Sequence, residues 1–241
     1  MTDDKTLTFD EARHLYHYDG IPLESVTQFL KRFIPPFDRE KWSAHTARKK
    51  GISQDAVLSQ WDASAYYSQE LGKRTHSFME AIAYAKMGKG FATPPPRDFR
   101  ETMIRGSCMR FWLAHPELIP IMPERKICVP AWRLGGTIDL LTKTPDGQIY
   151  LVDWKTNNAI DTYSKYGESL IHPLHHLDNC NFQQYALQLS LYAYMLEKRY
   201  GYQIAGLILV HLTEENFYEY HAPYLKTEIE LIIKQRLQFA G

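Results

Sequence analysis

Two β-rich runs on either side of a Pro-Asp-Gly turn limit the fold of this chain more than any other feature of its sequence. The first run contains Gly136-Thr-Ile-Asp139-Leu-Leu, the turn is Thr144-Pro-Asp-Gly147, and the second run ends in Asp153-Trp-Lys155. Pro-Asp-Gly between β-rich runs is typical of a hairpin turn. We therefore predict strands over 132–143 and 148–156 that pair with each other.

The register of this hairpin follows from the polarity of its residues. A three-residue loop gives pairs that match on both faces: Leu141 with Leu151, Leu140 with Val152, and Asp139 with Asp153. A shift by one residue would place Asp139 opposite Val152, mixing charged and apolar positions, so the first register is preferred. Lys155 then shares a face with Asp153. Two carboxylates about 5 Å apart repel each other, and a divalent metal would relieve that repulsion.

The simplest alternative is that Asp139, Asp153 and Lys155 form a solvated charged patch on an exposed sheet face. Isolated Asp-x-Lys triplets are common on strands. Here the neighbouring residues, such as Leu151 and Trp154, are apolar on both faces, so the charges interrupt a largely buried sheet. That context favours a functional site over a solvated charged patch.

Four motifs give the chain a resemblance to the PD-(D/E)XK nuclease superfamily, and within it to the RecB-like exonuclease branch. They are Gly72-Lys-Arg-Thr-His76-Ser-Phe-Met-Glu80, Gly136-Thr-Ile-Asp139, Asp153-Trp-Lys155 and Gln188-Leu-Ser-Leu-Tyr192. They occur in family order over residues 72 to 200. The three cysteines form no four-cysteine iron–sulfur set, so the chain is more similar to the mitochondrial genome maintenance exonuclease and phage-type relatives.

The resemblance implies a fold and a set of roles. The fold would be α/β, a central mixed sheet flanked by helices as in restriction endonucleases. His76, Asp139, Asp153 and the backbone carbonyl of Trp154 would hold one or two Mg²⁺ or Mn²⁺ ions, and no iron–sulfur cluster is expected. Lys155 would position the attacking water or stabilise developing charge.

Two glutamates are candidates for supporting roles. Glu80 lies one turn after His76 on the same helix face and could orient the imidazole, or the two could form a surface pair. Glu124 begins the strand before the hairpin and could reach the outer shell of the metal, or form a strand-end salt bridge.

Gln188 and Tyr192 fall on the apolar side of a helix predicted over 181–200. A polar pair on a buried face needs partners, which a nucleic-acid backbone, the catalytic lysine or a metal-bound water could supply. The alternative is a satisfied polar pair in the core. The resemblance counts both among the catalytic residues.

A basic run stands out in a chain whose formal net charge is zero. Residues 31–50 hold seven basic and two acidic side chains, a net of +5. Such a run is usually a solvated helix face, but in a nuclease Arg48, Lys49 and Lys50 are candidates for phosphate contacts, with Lys73 and Arg74 as a second possibility. Trp42, Tyr66 and Tyr67 are available for base stacking.

The rest of the chain is consistent with one nuclease domain over 1–241. We expect a mainly helical substrate-binding region over 1–71 and the catalytic core over 72–241. A short extended pair is predicted over 5–18, helices over 25–33, 38–50, 54–71, 73–88, 98–115 and 224–239, further strands over 124–130 and 203–212, and an irregular polar segment over 157–180.

These observations predict a metal-dependent nuclease that hydrolyses DNA, most simply a RecB-like exonuclease in repair, recombination or replication. A structure-specific endonuclease and a catalytically silent nucleic-acid-binding module remain as alternatives. The first residues lack the basic region of a signal peptide, and no apolar run reaches the roughly 18 residues of a membrane span. We expect a cytoplasmic protein, encoded by a bacterium or a phage, that binds DNA and no membrane.

Overall fold

A computed structural model describes residues 6–10, 13, 15–90 and 92–238. The strands of this part are β1 (Leu7–Asp10), β2 (Leu15–Tyr18), β3 (Ile21–Ser25), β4 (Ile119–Val129), β5 (Leu134–Lys143), β6 (Ile149–Lys155), β7 (Ile204–Leu212) and β8 (Phe217–Ala222). The helices are α1 (Val26–Lys31), α2 (Arg39–Lys50), α3 (Gln54–Lys86), α4 (Phe99–Ala114), α5 (Asn181–Met195), which continues as a π-helical turn over Leu196–Tyr200, and α6 (Lys226–Gln238).

The strands form one mixed sheet in the order β1-β2-β3-β5-β6-β7-β8, with β4 paired to β5. The pairs β3–β5 and β6–β7 are parallel, and the other pairs are antiparallel. Strands β5 and β6 lie in the middle, so the predicted hairpin is buried rather than at an edge. The mixed sheet flanked by helices confirms the predicted fold class. None of the described helices combines the length and hydropathy needed to span a bilayer.

Helices cover the sheet in two layers. One apolar cluster joins the sheet to α1, α5 and α6, with Leu187 and Leu191 of α5 fully buried. The other joins it to α3 and α4, where Met79 and Phe111 pack with Trp154 of β6. Because both faces of β6 are covered, any charged side chain on it is removed from water.

Two predicted boundaries are wrong, and two strands, β3 and β8, were not predicted. Gly72 was expected to separate two helices, but α3 runs unbroken through it and crosses the division at 71/72. A glycine inside a helix costs only about 1 kcal/mol relative to alanine, and burial of Leu71, Thr75 and Met79 on either side outweighs that cost. Strand β4 starts at Ile119, earlier than predicted, because Pro120 and Pro123 obscure its pattern. Strand β8 was missed because, at the edge of the sheet, it has no fully buried residue and lacks the aliphatic pattern of a core strand.

The hairpin register is confirmed where the strands pair. Leu140 lies opposite Val152 and Leu141 opposite Leu151, and the amide of Thr144 donates to the carbonyl of Gln148 at 3.0 Å to close the turn.

The ladder stops one residue before the two aspartates. There Oδ2 of Asp139 accepts a hydrogen bond of 2.8 Å from the amide of Trp154. A side-chain carboxylate thus replaces the backbone ladder at the point where the acidic residues begin.

Helix α5 approaches the sheet most closely at Gly136. A methyl group on Gly136 would lie 2.6 Å from Cε1 and 2.8 Å from the hydroxyl of Tyr192, whose side chain is buried. Glycine at this position therefore lets the aromatic ring of the Gln-x-x-x-Tyr motif rest directly on the strand that carries Asp139.

We predict that Gly136→Ala lowers the free energy of unfolding by about 1–3 kcal/mol, because the methyl group overpacks the site of the Tyr192 ring. In a Tyr192→Leu background the same change should cost much less, a coupling that urea unfolding of the double-mutant cycle measures. Gly90→Ala, where an added methyl meets nothing within 4 Å, is the control. Equal costs in both backgrounds would contradict the close approach.

Candidate metal centre

Sheet register brings three carboxylates into one row across neighbouring strands. On β4, Pro123 pairs with Leu140 and Arg125 with Ile138, so Glu124 between them lies opposite Asp139. On the other side of Asp139, the β5–β6 register leads to Asp153. The sequence analysis gave Glu124 at most a place in the outer shell of the metal. Pairing of β4 with β5, had it been predicted, would have placed Glu124 opposite Asp139.

Glu124 adopts an unusual backbone conformation. Its φ is +44°, a region that a residue with a side chain occupies at a cost of about 1–3 kcal/mol and that is concentrated at functional sites. The sheet tolerates this strain at the residue that joins the acidic row.

His76 of α3 meets the row from the adjoining helical layer. Its Nδ1 lies 3.3 Å from Oε1 of Glu124 and 3.4 Å from Oδ1 of Asp139. Its Nε2 lies 3.2 Å from the backbone carbonyl oxygen of Trp154. His76, Glu124 and Asp139 each offer a ligand atom, and these atoms lie within 4.8 Å of one another.

The pKa values of this cluster reflect its burial and its charges. Burial lowers the pKa of His76, but the charges and hydrogen bonds of Asp139 and Glu124 outweigh burial and hold that pKa well above its usual value. Burial would raise the pKa of Asp139, yet His76 and Lys155 bring it below its usual value. Burial and the charge of Asp139 raise the pKa of Glu124 despite its hydrogen bond to His76. The carboxylates thus favour positive charge in their midst, and protonation of His76 provides part of it.

Asp153 and Lys155 form a second cluster beside the first. Nζ of Lys155 is 2.5 Å from Oδ2 of Asp153, and Nε2 of Gln188 donates to Oδ1 of Asp153 at 3.4 Å. Burial raises the pKa of Asp153 to about 6, against the opposing charge of Lys155. Burial lowers the pKa of Lys155, but Asp153 and Asp139 more than offset it, so Lys155 stays cationic.

Tyr185 is a site residue that sequence reasoning missed. Nζ of Lys155 lies 4.8 Å from the centre of its ring, and its hydroxyl donates to Oδ1 of Asn157 at 2.9 Å. A cation over an aromatic face is stabilised by the ring. Tyr185 lies about one turn before Gln188 on the same helix, a spacing that could have indicated its place, but the Gln-x-x-x-Tyr motif does not include it.

The supporting residues are arranged differently from the prediction. Both ring nitrogens of His76 face other groups, and Glu80 interacts with the charge of Lys126, so Glu124 takes the position expected for Glu80. Tyr192 is buried, as its helix face predicted, and burial raises its pKa well above the usual value.

The predicted phosphate-binding residues fall into two groups. Arg48, Lys49 and Lys50 are exposed in the last turn of α2, and Lys73 is exposed beside Glu70. Arg74 differs from these, because its guanidinium bonds the buried carboxylate of Glu101 at 2.8 Å and joins α3 to α4.

The residues present fit a divalent metal. One imidazole and two carboxylates form a mixed hard and borderline donor set that suits Mg²⁺ and Mn²⁺. Nδ1 of His76, Glu124 and Asp139 would hold such an ion, with Asp153 next in the row. The carbonyl of Trp154, predicted as a further ligand, instead faces Nε2, the other ring nitrogen of His76. Repulsion among the partly buried carboxylates is the physical reason for a cation here.

A family model described as the PD-(D/E)XK nuclease superfamily matches residues 28–236. The chain belongs to the PD-(D/E)XK nuclease superfamily. Membership implies a metal-dependent hydrolase of phosphodiester bonds with a nucleic acid as substrate. Asp139 of β5 and Asp153-Trp-Lys155 of β6, the residues that carry the resemblance, lie within the matched range.

Other comparisons are less informative. No curated protein gives a significant match. The crystal structure of SSO0001 is 14% identical, with a TM-score of 0.35, and the match covers 90% of this chain and 76% of that chain.

We predict that Mn²⁺ raises the melting temperature of this PD-(D/E)XK protein, because an ion that binds only the folded state stabilises it by about 2.7 kcal/mol at a hundred times its dissociation constant. Glu124→Gln should reduce the shift, whereas Glu80→Gln should retain it. Thermal unfolding with and without Mn²⁺ tests this. A shift lost in Glu80→Gln but kept in Glu124→Gln would return the supporting role to Glu80.

Proposed function

We propose that the protein is a RecB-like DNA exonuclease that uses Mg²⁺ or Mn²⁺. The observation that carries the proposal is the convergence of α3 and α5 on one Asp-x-Lys strand: His76 contacts the carbonyl of Trp154, and Gln188 contacts Asp153. The histidine helix and the Gln-x-x-x-Tyr helix are the motifs that the RecB-like branch adds to the superfamily core.

The chain's own residues divide the chemistry between them. When bound, a divalent ion supplies Lewis acidity and positive charge for phosphodiester hydrolysis. Lys155 keeps its proton and places a compact charge at the end of β6, where it would orient water or stabilise charge that develops on the phosphate. Gln188 fixes one oxygen of Asp153, and Tyr185 limits the positions that the ammonium can take.

The N-terminal part would bind the substrate. The exposed cations of α2 give a formally neutral protein a local surface for phosphates, and α3 connects α2 to the metal centre through one continuous helix. This arrangement supports a strand that runs along the helical layer toward His76.

The decisive experiment compares linear with circular DNA, single-stranded and duplex, with Mg²⁺, with Mn²⁺ and with a chelator. An exonuclease degrades only the linear forms, and only with metal. Cleavage of circular DNA would instead identify an endonuclease. Binding without cleavage under every condition would identify a catalytically silent module.

We predict that Lys155→Ala abolishes cleavage while it leaves metal binding nearly intact, because Lys155 is not a ligand. Asp139→Asn should lose both, and Lys143→Ala, an exposed lysine at the end of β5, should lose neither. Calorimetry with Mn²⁺ and a cleavage assay measure the two properties. Cleavage by Lys155→Ala at the parent's rate would remove the lysine from the mechanism.

We predict that replacing Arg48, Lys49 and Lys50 together by Gln weakens DNA binding and flattens its salt dependence. Each phosphate contact contributes about 0.7 to the log–log slope for a single strand, so the slope should fall by up to about 2. Glutamine avoids placing negative charge at a helix C-terminus, where it would destabilise α2. Lys234→Gln on α6 is the control, and an unchanged slope in the triple variant would show that the run is only a solvated helix face.

A further inference from the structure

An aromatic cleft lies between α2, α3 and the segment after β6. It encloses about 420 Å³ and is walled by Phe37, Trp42, Trp61 and Tyr166. The rings meet in two pairs, Phe37 with Trp61 and Trp42 with Tyr166, each with centroids 6.0 Å apart. Its volume lies within the range of small-ligand sites.

Two of these rings are far more exposed than aromatic side chains usually are. Tyr166 is 76% exposed and Phe37 is 66% exposed. Flat apolar faces that remain open to water, grouped around one cavity, indicate a surface that a ligand covers. Planar ligands stack on such faces.

The polar groups of the cleft suit a nucleobase better than a phosphate. Glu168 and Asn179 line it, and Oε2 of Glu168 accepts a hydrogen bond of 3.2 Å from Nδ2 of Asn179. Within the described residues, Oε1 of Glu168 has no hydrogen-bond partner. A carboxylate repels phosphate but accepts hydrogen bonds from the amino groups of bases.

Cations flank the cleft on the side of α2. Lys41 lines it, with Nζ 5.8 Å from the centre of the Trp42 ring, and Arg48, Lys49 and Lys50 follow on the same helix. Aromatic platforms beside a positive track are the combination by which proteins hold single strands without reading their sequence.

Two helices connect the cleft to the metal centre. Trp61 and His76 are both on α3, about 22 Å apart along the axis at 1.5 Å per residue. On α5, Gln184 bonds Asn179 at 3.0 Å, and Gln188 one turn later bonds Asp153. A stacked strand of about six or seven nucleotides would span this separation at roughly 3.4 Å per step.

We propose that this aromatic cleft binds an unpaired base of the nucleic-acid strand whose backbone is cleaved at the metal centre. The inference rests on the proposed function for its substrate. It adds a holding point several nucleotides from the scissile bond, and it assigns the substrate a single-stranded segment at that distance.

The test compares a deoxycytidine 12-mer, whose bases carry amino groups, with an abasic 12-mer of the same backbone, with a chelator present so that no strand is cut. Fluorescence anisotropy gives the two dissociation constants and hence the preference for bases. Tyr166→Ala should lower that preference by about 5- to 150-fold, the usual contribution of one stacked base. Tyr166→Phe should keep it, because the ring remains. Tyr163→Ala is the matched control, since Tyr163 is 65% exposed on the same segment but outside the cleft.

Several outcomes would overturn the proposal. Equal base preference in Tyr166→Ala and Tyr163→Ala would place the stacked base elsewhere. Tighter binding of a proline-rich peptide than of either oligonucleotide, lost in Tyr166→Ala, would identify a peptide groove instead. Cleavage of linear DNA by the parent and by Tyr163→Ala is assayed separately with Mn²⁺. If linear DNA is cut but the preference for bases does not depend on Tyr166, only the proposed role of the cleft is refuted. If the preference depends on Tyr166 but no DNA is cut, only the proposed nuclease activity is refuted.

Discussion

Repulsion among closely spaced carboxylates is the constraint on which the centre of this structure depends. Glu124 and Asp139, both partly buried, and Asp153, which is buried, occupy neighbouring positions on three strands, where charges are weakly screened. Such a row persists in a folded protein only if cations accompany it. His76 and Lys155 supply two cations, and each is held by contacts with the row. A divalent metal, as expected from the superfamily, would add positive charge to an arrangement that already attracts it.

The same constraint explains why two helical layers meet at one strand. Each end of the acidic row lies beside a different helix: Glu124 contacts His76 of α3, and Asp153 contacts Gln188 of α5. Helix α3 therefore delivers His76 to Asp139 and Glu124, and α5 delivers Gln188 and Tyr185 to Asp153 and Lys155. The close approach of Tyr192 to Gly136 fixes the depth of α5 and so helps to place Gln188 and Tyr185 beside Asp153 and Lys155.

Sequence reasoning was accurate where local patterns determine structure. The alternation of residues around Pro145-Asp-Gly147 predicted the hairpin and its register, and the resemblance to the superfamily drew attention to His76 and Gln188, which both contact β6. It failed where distant pairing decides. Glu124 was underrated because β4 pairs with β5 across a register that two prolines obscure, and Gly72 was read as a helix end although burial around it keeps α3 continuous. Tyr185 was missed because its role depends on contact with Lys155, which is distant in the sequence and close only in the folded chain.

The conformation of Glu124 connects stability with function. A residue with a side chain at φ +44° is strained, and taking its carboxylate partly out of water also costs free energy. The strained backbone places this carboxylate 3.3 Å from Nδ1 of His76, beside Asp139. A divalent ion bound there would offset part of both costs, because it would neutralise charge and would bind only the folded state.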